Sequence, residues 1–88
     1  MKRLAVRVKG IVQGVGFRPF VYRLARQNSL TGFVFNDDEG VLLEIQGEQD
    51  SLAKMTAALR TEAPPAASVT AVIVQAEKVL SADYIFTL

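Results

Sequence analysis

Leu4, Val6 and Val8 alternate with Ala5, Arg7 and Lys9, a period of two that predicts a half-buried strand over residues 4–9. Three glycines then fall within Gly10 to Gly16, so the chain turns. Phe20, Val21, Leu24 and Ala25 recur at helical spacing, with Arg23, Arg26 and Gln27 opposite. Pro19 suits the first turn of that helix, where its missing N–H costs nothing. Asn28 and Ser29 punctuate its end. Gly32 to Asn36 is a short aromatic and β-branched run, a second strand. Asp37-Asp38-Glu39-Gly40 is a turn, and Gly40 is free to take a positive φ. Val41, Leu43 and Ile45 alternate with Leu42, Glu44 and Gln46 up to Gly47, so strands two and three form a hairpin.

Glu48 or Asp50 is suited to cap a second helix, along which Leu52, Met55 and Leu59 form one stripe. This helix should stop before Pro64-Pro65. Val69 to Val79 reads as a fourth strand. Val72, Ile73 and Val74 run together, which predicts burial on both sides or a bulge. Tyr84-Ile85-Phe86 reads as a last short strand. The order β-α-β-β-α-β with a terminal strand is the split βαβ pattern. It predicts an α+β, ferredoxin-like sandwich, an antiparallel sheet with two helices on one face. Phe33 and Phe35 should share the uncovered face, where Phe35 is either a docking residue or covered by a neighbour. Fold alone assigns no function.

At 88 residues, 50% of them apolar and 22% charged, the chain 1–88 is expected to be one globular domain. It has no Cys and no His. That excludes a disulfide framework, a thiolate nucleophile, a Ser-His-Asp triad and a Cys/His zinc site. No apolar run approaches a membrane span, and Lys2, Arg3, Arg7 and Lys9 leave no signal-peptide h-region. A cytoplasmic setting is expected. Net charge is +1, but the charges segregate. Residues 1–26 carry Lys2, Arg3, Arg7, Lys9, Arg18, Arg23 and Arg26 without an acid. Residues 37–50 carry Asp37, Asp38, Glu39, Glu44, Glu48 and Asp50 without a base. The basic third would attract an anion; the plainer reading is solvated faces that happen to segregate. Asp37 and Asp38 read as a solvated turn, and no metal site is expected. The strands lack paired aromatic RNA-binding motifs, so no nucleic-acid partner is expected.

The stretch that carries chemistry is Gly10-Ile11-Val12-Gln13-Gly14-Val15-Gly16-Phe17-Arg18. It leaves a strand, carries three glycines and enters a helix. Successive backbone N–H groups in such a loop converge on an anion, and a helix start adds free N–H groups and partial positive charge. Arg18 supplies a planar fork suited to phosphate oxygens. On spacing alone, a phosphate cradle and a tight turn with a surface arginine stand equal. The loop lacks the Gly-Lys-Ser/Thr end of a nucleotide P-loop.

This stretch resembles the acylphosphatase signature Gly-x-Val-Gln-Gly-Val-x-Phe-Arg, and Gly32-Phe33-Val34-Phe35-Asn36 with Gly40 resembles the second signature of that family. The likeness covers nearly the whole chain. Gly16-Phe17-Arg18-Pro19-Phe20-Val21, Asn36-Asp37 and Gly40-Val41 are similar to the N-terminal acylphosphatase-like domain of hydrogenase maturation carbamoyltransferases. Freestanding acylphosphatases commonly differ at Pro19 and have one more residue between the positions of Gly40 and Gly47. Phe35 stands where a basic or polar residue is usual. Tyr84-Ile85-Phe86-Thr87-Leu88 resembles the end of this domain before a zinc-binding region, so an excised domain of a larger enzyme is expected.

The resemblance implies a hydrolase of acyl phosphates, with carbamoyl phosphate as natural substrate and no cofactor in this domain. Arg18 would hold the phosphoryl group and Asn36 would orient the attacking water. Backbone from Gln13 through Gly14, Val15, Gly16 and Phe17 to Arg18 would surround the phosphate oxygens and bind inorganic phosphate. No enzyme nucleophile is needed, because an acyl phosphate is already a reactive mixed anhydride and positioning with charge neutralisation suffices. Two alternatives stay open: a carbamoyl-phosphate-binding or docking module with little turnover alone, and a freestanding acylphosphatase. Implied partners are the remaining domains of a parent carbamoyltransferase, and no membrane.

Overall fold

A computed structural model describes residues 1–81. Strand β1 (Lys2–Ile11) leads to helix α1 (Phe17–Gln27), hairpin strands β2 (Thr31–Asp37) and β3 (Gly40–Gly47), helix α2 (Gln49–Thr61) and strand β4 (Ser68–Glu77). The sheet order is β2-β3-β1-β4, with every neighbouring pair antiparallel. This is the expected split βαβ sandwich. The inward alternation of Val6 and Val8 on β1 meets Val41, Leu43 and Ile45 on β3, all fully buried. Phe20, Val21 and Leu24 of α1 and Leu52, Met55 and Leu59 of α2 complete the same core. Each such side chain contributes about 1.5–3 kcal/mol on burial. Among the described residues no helix is long and apolar enough to cross a membrane.

Helix α1 ends in a Schellman arrangement. Leu30 N–H donates to the Ala25 carbonyl at 2.9 Å and Ser29 N–H to Arg26 at 3.3 Å. Asn28 Nδ2 donates to the Leu24 carbonyl at 2.8 Å. The reversal places Ser29 at φ 56°, left-handed for a residue with a Cβ. Ser29→Gly is therefore expected to raise stability by about 0.5–1 kcal/mol, read as a higher urea midpoint at unchanged m-value.

Two expectations need correction. Glu48 occupies the N-cap of α2, but neither it nor Asp50 caps the helix through its side chain; Asp50 instead lies in the first turn, where it complements the helix dipole. Strand β4 is not buried on both sides: Ile73 and Val74 are 50% and 48% exposed. It is an edge strand of the described sheet, with α2 packed against its Val69 end, and the alternative reading, a bulge, is what the structure shows, nearer the start of the strand. Lys9 pairs with Ala71 and Gly10 with Val69, so the register shifts past Thr70. The strand foreseen at Tyr84-Ile85-Phe86 lies outside the described residues. Phe33 and Phe35 do share a face, their rings stacked 5.9 Å apart, with Phe35 42% exposed.

Candidate active site

The loop from Val12 to Gly16 joins β1 to α1. Gly14 and Gly16 sit at φ 73° and 80°, and Gly16 is the N-cap of α1. An added Cβ would meet open space at either glycine, so it is the backbone angle that demands glycine there. Phe17, 1% exposed, anchors the helix start and packs edge-on against Phe20 at 5.3 Å. Arg18 follows on the exposed face. The first helical bond runs from Phe20 N–H to the Gly16 carbonyl at 3.2 Å, and Pro19 has no N–H. The amides of Phe17 and Arg18 therefore have no partner within the helix.

On β2, Val34 turns toward the core and Asn36, two residues on, lies beside the loop. Val12, Gly14, Gly16, Phe17, Arg18, Pro19 and Asn36 line one cavity of about 120 Å³. The two motif residues, 18 positions apart in sequence, are thus brought together. Asn36 Oδ1 is buried and finds no hydrogen-bond donor among the described residues. Such an atom costs stability, which points to a use for its lone pairs. Gln13 and Val15 do not line this cavity. Val15 packs against the core, and the Gln13 side chain reaches away to the hairpin. Val12 and Pro19 are walls that residue type alone did not mark.

A larger depression of about 430 Å³ lies across the loop, where Lys9 faces Asp38 and Glu39. Those carboxylates oppose an anion. The smaller cavity, with one cation and no carboxylate in its walls, suits an anion better.

The charges of the basic first third are not all solvated, since Arg3 and Arg7 are held in ion pairs. Arg3 Nε donates to Glu44 Oε1 at 2.7 Å and its Nη1 to Gln46 Oε1 at 3.3 Å, with Arg3 itself buried. Arg7 bonds Asp37 and approaches Glu39 at 3.7 Å. The basic and acidic segments meet because β1 pairs with β3 and the β2–β3 turn closes beside them. Arg18 makes no such ion pair among the described residues, which leaves its guanidinium to the cavity.

The Arg7 hydrogen bond, with the Glu39 N–H second, holds the Asp37 carboxyl below the ordinary aspartate range. A lowered folded-state pKa contributes stability above the unfolded value, lost as pH falls through the folded one. Wild type should therefore exceed Asp37→Asn in urea midpoint at neutral pH, and the gap should narrow below the ordinary aspartate pKa. A gap that widens in acid would contradict this account of the turn.

Comparison with known proteins bears on the family and the fold. The acylphosphatase family model matches residues 4–86. The chain is 55% identical over 67 residues to carbamoyltransferase HypF2 of Cupriavidus necator, covering 76% of this chain and 8% of that protein. It is 43% identical over 76 residues to an acylphosphatase of Thermotoga maritima, covering 85% and 83% of the two. The crystal structure of full-length HypF in its phosphate- and nucleotide-bound form superposes with a TM-score of 0.91 at 29% identity, over 98% of this chain and 12% of that one. The chain thus spans about a tenth of the length of the carbamoyltransferases it matches, and most of a freestanding enzyme. With both signatures converging on one cavity and the family model spanning nearly its whole length, this chain belongs to the acylphosphatase family, hydrolases of acyl phosphates.

Proposed function

We propose that the cavity between the Val12–Gly16 loop and Asn36 binds the phosphoryl group of an acyl phosphate, carbamoyl phosphate above all, and hydrolyses it. The observation that carries this reading is the convergence of Arg18, the glycine loop and Asn36, whose buried side-chain oxygen has no donor among the described residues, on one small cavity. Arg18 and the amides neutralise charge on the phosphoryl oxygens. Asn36 Oδ1 accepts a hydrogen bond from water and aims that water at phosphorus. The new bond forms from water oxygen to phosphorus, and the bond from phosphorus to the acyl oxygen breaks. The acyl group leaves as a carboxylate, or as carbamate from carbamoyl phosphate. No carboxylate lines the cavity, so the water proton passes to a phosphoryl oxygen of the substrate. The high identity to carbamoyltransferases favours carbamoyl phosphate and a role as the N-terminal domain of such an enzyme, docked to its other domains. The full-length HypF structure that this chain resembles is a phosphate- and nucleotide-bound form, in keeping with phosphate as a ligand of such proteins. A cytoplasmic setting is part of this proposal.

Phosphate release from carbamoyl phosphate and from benzoyl phosphate tests the proposal. Release from both is expected, with carbamoyl phosphate favoured in kcat/KM. Saturable binding without release would leave a binding module and overturn the hydrolytic reading. Because the chain has no His, the rate should be nearly flat across neutral pH once the substrate phosphate is fully ionised. A pH–rate profile with a sharp enzyme-borne step near neutrality would contradict the substrate-assisted proton transfer.

A further inference from the structure

The geometry points to Gln13 as a positioning residue that sets the phosphate loop against the strand carrying Asn36. Its Nε2 donates to two carbonyls at once, that of Asp37 at 2.6 Å and that of Gly40 at 3.0 Å. These two residues pair across the mouth of the hairpin, and Asn36 pairs with Val41 one step further in. One side-chain amide thus bridges the loop that enters α1 and the turn that ends β2. The contact is exposed and lies outside the cavity, so Gln13 does not reach the substrate through its side chain.

The turn is held from a second side by Arg7, which bonds the Asp37 carboxylate. Asp37 Oδ1 in turn accepts from the Glu39 N–H at 2.9 Å. These contacts fix the turn on β1 and within itself. Among the described residues, Gln13 supplies the side-chain hydrogen bonds that tie the turn to the loop. The loop's own curvature is set by the left-handed Gly14 and Gly16. Losing the Gln13 bridge therefore leaves the loop shaped to hold phosphate while freeing its distance to Asn36. Water-to-phosphorus alignment is lost before phosphate binding is, and misplacement by about 1 Å costs up to ~10²-fold in rate.

This inference rests on the cavity being the phosphoryl site. Its test compares wild type, Gln13→Met, Asn36→Ala and the double variant. Methionine keeps the length of the side chain and removes the donor; Gln13→Glu is a second variant that sets a carboxylate against the two carbonyls. Benzoyl phosphate turnover and inhibition by inorganic phosphate are measured on each folded protein. For Gln13→Met, kcat should fall at least ~10-fold, with the inhibition constant for phosphate within about 2-fold of wild type. Gln13→Glu should do the same. In the double variant, kcat should match that of Asn36→Ala alone within about 2-fold, because Gln13 acts through the placement of Asn36. A Gln13→Met protein with lowered melting temperature and normal kcat overturns the inference, as does a double variant whose losses multiply. If Asn36→Ala is impaired and Gln13→Met is normal, this inference alone fails. If wild type releases no phosphate, the functional reading fails and this inference with it.

Discussion

Arg18→Ala is expected to lower kcat/KM for benzoyl phosphate about 10³-fold and to weaken inhibition by phosphate about 10- to 150-fold. The binding loss follows from one charge-assisted contact, roughly 1.5–3 kcal/mol. The larger loss in turnover follows because negative charge on the phosphoryl oxygens must be held through the transition state in a site walled by apolar Val12, Phe17 and Pro19. Lysine at this position restores the charge without the planar fork, so Arg18→Lys should recover part of the binding and less of the rate. Folding should be nearly untouched, within about 0.5 kcal/mol, because Arg18 is exposed and makes no ion pair among the described residues. Steady-state kinetics with a phosphate inhibition series measures all of this. Unchanged inhibition by phosphate in Arg18→Ala would remove the arginine from the site.

Asn36→Ala separates the second role from the first. Turnover should fall about 10²-fold, while the inhibition constant for phosphate stays within about 2-fold of wild type. Its effect on stability runs the other way. Asn36 Oδ1 is buried without a donor among the described residues, so deleting it relieves an unsatisfied acceptor. Urea unfolding should show stability unchanged or raised, by up to about 1 kcal/mol. Loss of activity with retained or gained stability is the pattern of a residue kept for chemistry. A variant that unfolds in proportion to its loss of rate would make Asn36 structural.

Much of this fold is legible in the residues. Val41, Leu43 and Ile45 fall on one face, and the strand they predict begins and ends within a residue of the observed β3. Phe20, Val21, Leu24 and Ala25 mark the buried side of α1. The ends of β1 are less visible: Lys2 and Ile11 are in the strand because β3 and β4 pair with them, not because of an apolar pattern. The run Val72-Ile73-Val74 misleads for a tertiary reason, since its exposure depends on where β4 falls in the sheet. Arg3 and Glu44 lie 41 residues apart, and only strand register makes them a pair. Within the site, Arg18 and Asn36 are carried by local motifs and can be read. The side chain of Gln13 cannot, because its two acceptors are main-chain carbonyls that every residue type offers.

The location of the phosphoryl site is tested most directly by titrating the ¹⁵N-labelled chain with inorganic phosphate at constant ionic strength and following its amide resonances. The backbone amides of Gly14, Val15, Gly16, Phe17 and Arg18 and the side-chain amide of Asn36 should shift along one saturable curve. That curve should be lost in Arg18→Ala and kept in Asn36→Ala, apart from the missing side-chain signal. Shifts that spread instead over the surface around Lys2, Arg23 and Arg26, and that chloride reproduces, would contradict a phosphoryl site in this cavity.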